Sequence, residues 1–149
     1  MRDDILIEQL GAGALKGNLL ITQPTSKANP AKGAFDAAFA AAGGDPNSIF
    51  VQQSYDSAML IALAIQKAGS TDRASIKDAL RAVAGPPGVK VGPGDWKKAV
   101  DLLASGQEID YDGAAGALDF DAAGDVAGVI GEYGIEGNTF KEMGIIDID

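Results

Sequence analysis

The sequence contains no His and no Cys. Zinc sites of the usual kind, thiol nucleophiles and every His-based triad are thereby excluded. A hydrolase built on this chain would need a Ser–Lys pair. Ser54, Ser57 and Ser70 all sit where a helix cap or helix start explains them. The best-spaced carboxylates are Asp119, Asp121 and Asp125, in D-F-D-A-A-G-D. Alternating carboxylates with a Gly are what a calcium loop uses to wrap a hard cation. The run lacks a third alternating Asp or Asn before Gly124 and lacks a closing Glu. A hairpin turn with Asp first and Gly last accounts for the same residues. Asp110 and Asp112 flank Tyr111. Paired carboxylates can do acid–base work, but among so many Gly and Ala residues these two read as a solvated loop. The Gly/Pro-rich stretch 85–94 has no Lys-Ser/Thr behind it in phosphate-loop order. Phe50 and Tyr55 bracket the start of an apolar helix. They are either core residues or walls of a ligand pocket, since aromatics beside element ends line such pockets.

The elements that position these residues follow from periodicity and punctuation. Asp3 or Asp4 caps a short helix carrying Ile5, Leu6, Ile7 and Leu10, and Gly11 stops it. Gly17 to Thr22 is a compact apolar run closed by Gln23-Pro24, and it reads as a buried strand. Asn29 and Pro30 start a helix as cap and first residue. Ala31, Ala34, Phe35, Ala38, Phe39 and Ala42 then recur at helical spacing up to Gly43-Gly44. From Ser54 to Ala68 the helix is apolar on nearly every side, which predicts burial around most of its circumference. Asp72 closes a cap for the next helix, striped by Ile76, Ala79, Leu80 and Val83. Asp95 caps a short one carrying Trp96, Val100 and Leu103. Strand character follows at 117–120, 126–135 and 139–148.

About five helices thus stand against roughly four short strands. A doubly wound α/β domain needs a buried parallel sheet under its helices, and the 54–68 helix finds none in this chain. Either the fold is mostly helical or the remaining strands lie outside these residues; the second reading is preferred.

Bulk properties bound the partners. The length of 149 residues fits one domain, and an apolar fraction of 46% is ordinary for a globular protein. The net charge is −9 and the pI about 4.3. A surface this acidic repels phosphate backbones and anionic membranes, so nucleic acid is a poor partner. The longest apolar run, 58–65, is far too short to span a bilayer. The charged start Met1-Arg2-Asp3-Asp4 does not read as a signal peptide. The expectation is a mature chain, a cytoplasmic one, or one cut from something longer.

Four blocks in series carry a resemblance that none carries alone. They are LGAGALKGNLLITQP (10–24), DPNSIFVQQSYDSAMLIALAIQKAGSTD (45–72), IKDALRAVAG (76–85) and GQEIDYDGAAGALDFDAAGDVAG (106–128). In this order and spacing the chain resembles the C-terminal part of type I periplasmic solute-binding proteins of the branched-chain amino-acid (Leu/Ile/Val-binding-like) ABC transporter family. The resemblance implies an α/β chain holding part of the type I periplasmic-binding-protein fold, with Rossmann-like lobes, and lacking the N-terminal half. It implies that residues 1–22 end the second lobe and 23–26 cross back. Residues 27–128 then complete the C-terminal part of the first lobe, and 129–149 form the third crossing and return. The strands missing beneath the 54–68 helix would belong to the absent half.

By resemblance the function is capture of a small amino acid or related solute between two lobes, for delivery to a membrane permease in the periplasm. No covalent chemistry and no cofactor is implied. The groups that hold the ligand's charges lie outside this chain. Phe50 matches an aromatic at the side-chain end of the family's pocket, and Tyr55 is a weaker ligand-binding candidate. Two other roles remain open: a ligand-sensing domain of a receptor or regulator with the same fold, and a self-associating interaction domain without a ligand. An apolar helix short of a sheet leads to the expectation that the chain self-associates.

Overall fold

The computed structural model describes residues 4–148. The chain divides into two compact units, one made of residues 26–127 and one of the segments before and after them. In chain order the helices are α1 (Asp4–Leu10), α2 (Ala12–Leu15), α3 (Pro30–Ala41), α4 (Val51–Ala68), α5 (Arg73–Ala84) and α6 (Trp96–Ala104). The strands are β1 (Ile21–Pro24), β2 (Val89–Val91), β3 (Ile109–Tyr111), β4 (Gly128–Glu136) and β5 (Thr139–Ile148). No described helix is long and apolar enough to cross a membrane.

The smaller unit is an antiparallel sheet of order β1-β4-β5 with α1 and α2. On β4, Gly131, Tyr133 and Ile135 are buried at the two-residue period that turns alternate side chains to one face. The expected strand at 17–22 lies further along, at Ile21–Pro24, and it is not buried on both faces: Leu20 before it is 63% exposed. It is an edge strand that pairs only with β4, with Pro24 opposite Ile130. An edge position tolerates Pro because no second neighbour requires its missing N–H.

The larger unit carries the core. α4 contributes Leu60, Leu63 and Ala64, and α5 contributes Ala79, Val83 and Ala84. Val91 of β2, Ala99 of α6, and Ile109 and Tyr111 of β3 complete it. β2 and β3 form a parallel pair, with Val89 opposite Ile109 and Val91 opposite Tyr111. These three-residue strands are too short to show a period in sequence. The 117–120 stretch forms only isolated bridges, Asp112 to Ala117 and Phe120 to Val126.

Capping follows the sequence at two helices and departs from it at a third. The Asn29 side chain accepts from Lys32 N at 2.8 Å, and that of Asp72 from Ser75 N at 3.0 Å. The Ser75 donors hold the Asp72 carboxyl below its usual range. Asp95 does not cap α6 with its side chain; its carboxylate accepts from Gly92 N at 3.1 Å and closes the preceding loop instead.

α4 is buried along one face only. Asp56, Leu60, Leu63 and Ala64 fall at positions i, i+4, i+7 and i+8 and turn inward. Ala58 and Ile61 are exposed, Ile61 by 49%. The expected burial around most of its circumference is therefore not met within the chain. α5, α6 and a two-stranded ladder supply one layer of cover and no more.

Asp56 is a carboxylate built into this core, at 1% exposure. It accepts from Tyr111 OH at 2.9 Å, Ala114 N at 2.8 Å and Ala115 N at 2.6 Å. Gly113 makes the approach possible, since a Cβ there would sit 2.4 Å from Asp56 Oδ2. Burial, then the neighbouring Asp56, pushes the Tyr111 phenol far above its usual range. Asp56→Ala strands two backbone donors and a phenol away from water. It should cost about 3 kcal/mol or more, read as a lower urea midpoint in the fluorescence of the single tryptophan, Trp96. A midpoint unchanged from the parent would refute this.

Candidate functional site

The N-terminus of α4, the segment before it and α3 line an open cavity of about 400 Å³. Its walls are Phe35 and Phe39 of α3 together with Ile49, Phe50, Val51, Ser54 and Tyr55. Phe35 and Phe39 are one turn apart on α3, which brings their rings onto the same side. They stack with centroids 5.5 Å apart and planes 17° apart. Tyr55 lies tilted against Phe35 at 4.7 Å. Gly44 admits this arrangement: a Cβ there would lie 2.3 Å from the Phe39 ring.

Both aromatic residues singled out in the sequence are in this wall. Phe50 is 48% exposed and sits immediately before α4, not four residues ahead of it as the expected start at Ser54 required. Its backbone is left-handed, φ 64° and ψ 11°, a conformation uncommon in any residue with a side chain. Its carbonyl already accepts from Ser54 N at 2.8 Å. Tyr55 is half-buried. Phe35, Phe39 and Ile49 were not legible as walls, because an aromatic at helical spacing reads as core until the facing segment is placed. Their one sequence signal is the clustering of three of the five phenylalanines within residues 35–50.

The wall carries a hydroxyl from Ser54 and a phenol from Tyr55, and no charged side chain lines it. It can bury an apolar group and offer hydroxyls at the rim. It has no counter-charge for an ammonium or a carboxylate.

The other carboxylate groups serve the fold. Asp121 Oδ1 accepts from Gly124 N and Asp125 N, each at 2.8 Å. Asp121 is thereby the first residue of a turn, and these N–H groups hold its carboxyl below the usual range, that of Asp125 most strongly. Among the described residues no group of three or more acidic side chains is placed to hold a metal ion. Asp110 is not in a solvated loop: it is in β3 and 9% exposed. Lys90 on β2 lies 3.8 Å from it and 2.8 Å from Asp112. That hydrogen bond to Asp112, with the charge of both carboxylates, raises the Lys90 pKa.

A model of the periplasmic binding protein family matches residues 2–101. The chain belongs to that family. It is 35% identical over 78 residues to the chemotactic signal transduction system substrate-binding protein BasB of Halobacterium salinarum, covering 52% of this chain and 19% of that one. Its fold matches the leucine binding protein LivK of Thermotoga maritima with a TM-score of 0.62 at 22% identity, over 97% of this chain and 35% of that one. The chain therefore spans about a fifth and about a third of the lengths of these two relatives. It is an α/β chain carrying part of the periplasmic-binding-protein fold.

The Gly44 contact tests the wall directly. Gly44→Ala drives a methyl into the Phe39 ring and should cost about 1–3 kcal/mol, as overpacking does. The Trp96-monitored urea midpoint should fall, and the Phe39 ring resonances should lose the ring-current shifts of the stack. Unaltered resonances would show that the ring does not lie over Gly44.

Proposed function

We propose that this chain is part of a two-lobed protein that captures a small solute, an amino acid or a related compound, and hands it to a membrane permease of an ABC importer. The observation that carries the reading is the aromatic cavity at the start of α4, in a chain of the periplasmic binding protein family. Phe50 and Tyr55 would face the apolar part of the solute. Residues 1–22 would end the second lobe, 23–26 cross back, 27–128 complete the first lobe, and 129–149 cross again and return. The site of action would be the periplasm or its equivalent outside the membrane. Binding by hinge closure needs no covalent step, so the role is capture and not catalysis.

A second reading shares the site and changes the partner. BasB is named as the substrate-binding protein of a chemotactic signal transduction system. A solute-loaded form of the present protein would on that reading be presented to a signalling receptor instead of a permease. Genes for a permease and an ATPase beside this one favour import; a chemoreceptor gene there favours sensing.

Calorimetry and thermal shift on the full two-lobed protein, against amino acids, amides and small carboxylates, test the capture role. Stabilisation by at least one is expected, and none at all would sink it. Phe50→Ala should weaken an apolar solute by about 1–3 kcal/mol, the scale of losing burial against one aromatic side chain. An unchanged affinity would remove Phe50 from the site.

The open face of α4 generates a separate expectation. Ala58 and Ile61 are exposed, and Ala62 and Ile65 are half-buried beside them. In the two-lobed protein this stripe would be covered by strands of the other half. In the isolated chain a second copy would cover it, because extended apolar patches are unusual on monomers. Sedimentation of the 149-residue chain should show a concentration-dependent dimer or higher species, weakened by Ile61→Lys. A monodisperse monomer would contradict this.

A further inference from the structure

We infer that Gln52 is a positioning residue that holds Phe50 in its left-handed conformation and thereby sets the aromatic wall of the cavity. The functional meaning of that wall rests on the solute-binding reading; the conformational claim does not.

Phe50 has a bulky side chain at φ 64°. Such a conformation persists only where the surroundings over-determine it. Two ties flank the residue. Before it, the Asp45 carboxylate accepts from Asn47 N at 2.9 Å and Ser48 Oγ at 3.2 Å, which fixes the turn at 45–48. After it, Gln52 is 6% exposed on the first turn of α4. Its amide nitrogen donates to Pro46 O at 3.0 Å and to Asp36 Oδ1 at 2.7 Å. Asp36 in turn pairs with Lys32 one turn earlier on α3.

The first of those bonds closes a loop from position 46 to position 52. The second fastens that loop to α3, the helix that bears Phe35 and Phe39. Both amide hydrogens of Gln52 are used. The chain between a fixed turn and a started helix must change direction at one place, and it does so at Phe50. The hydrogen bond to the Asp36 carboxylate is of the charge-assisted, stronger kind. It is of the size needed to offset backbone strain at one residue. The result is a Phe50 ring presented to the cavity with its backbone already fixed, before any solute arrives.

A Gly/Ala pair at position 50 gauges the strain. Gly adopts left-handed backbone freely, Ala does not, and both remove the ring. In the otherwise unchanged chain, Phe50→Gly should have a higher urea midpoint than Phe50→Ala, read by Trp96 fluorescence. In the Gln52→Met background, which keeps side-chain length and removes both donors, that Gly-over-Ala advantage should shrink to less than about half. An undiminished advantage would show that Gln52 is only a structural hydrogen bond and does not hold Phe50. No advantage in the unchanged chain would overturn the strain itself. If Gln52→Met fails to fold, Asp36→Asn takes its place in the same comparison, with a smaller reduction expected and an undiminished advantage again counting against the proposal. As a second readout, the Phe50 α-carbon shift and amide–α-proton coupling in Gln52→Met should leave their left-handed values; retention of those values overturns the assignment. These measurements use no ligand. A full-length protein that bound no solute would defeat the proposed function and leave this result standing.

Discussion

A carboxylate buried among neutral donors organises the larger unit. Asp56 sits at 1% exposure between helix α4 and the end of β3. Burying such a group without partners is among the costlier things a fold can do. Here a phenol and two consecutive backbone N–H groups meet it. The donors come from residues more than fifty positions later in the chain, so the bond set forms only when β3 and the turn after it are in place. One side chain thus ties the register of a helix to that of a strand. The apolar contacts of Leu60, Leu63 and Val83 supply more free energy in total, but they would tolerate some sliding. Three directional bonds to fixed donors would not, and this is how buried polar networks specify a single arrangement.

The same helix face carries a second polar side chain one turn earlier. Gln52 and Asp56 are both buried, at i and i+4, and both reach across to other elements. Gln52 reaches α3 and the 45–49 turn, while Asp56 reaches β3 and the 113–115 turn. α4 is therefore pinned by hydrogen bonds at its N-terminal half and by hydrocarbon at its C-terminal half. The cavity opens at the pinned end. On the proposed solute-binding reading that placement makes physical sense, since a ligand wall must keep its shape.

The sequence made several of these features readable, each by a recognisable mechanism. Asn29-Pro30 and Asp72 announced two helix starts, and both side chains cap as their chemistry requires. Gly69 ends α4 in left-handed backbone, as a Gly at that position should. Four sequence blocks in series pointed to the family that the comparison with known proteins shows. The misreadings are equally physical. Phe50 turns the chain where Gly or Asn would be expected, so in sequence the start of α4 falls at about Ser54. Asp95 had a better donor in Gly92 than in its own helix. β2 and β3 are three residues each, too short for any period to show, and so Asp110 reads as loop in sequence. Asp56 does not stand out in sequence because the run after it is apolar on every side. Its signal was there: it falls on the stripe of Leu60, Leu63 and Ala64, and a carboxylate on a core stripe demands donors.

The magnitude of apolar burial decides how much of a binding site this chain can be. Fully burying a Leu- or Phe-sized side chain contributes roughly 1.5–3 kcal/mol. A micromolar solute needs about 8 kcal/mol. A cavity of about 400 Å³ with aromatic walls therefore falls short by several kcal/mol. It is also open on one side, so burial there is less than complete and the shortfall grows. The difference for an amino-acid-like solute must come from charge-assisted hydrogen bonds to its ionised ends, and the cavity wall offers only the Ser54 and Tyr55 hydroxyls. On the proposed solute-binding reading, the larger unit would sort solutes by the shape of an apolar end and would not hold one tightly by itself. An isolated chain that bound an amino acid with sub-micromolar affinity would contradict that division of labour, because no arrangement of seven neutral wall residues reaches it by burial alone.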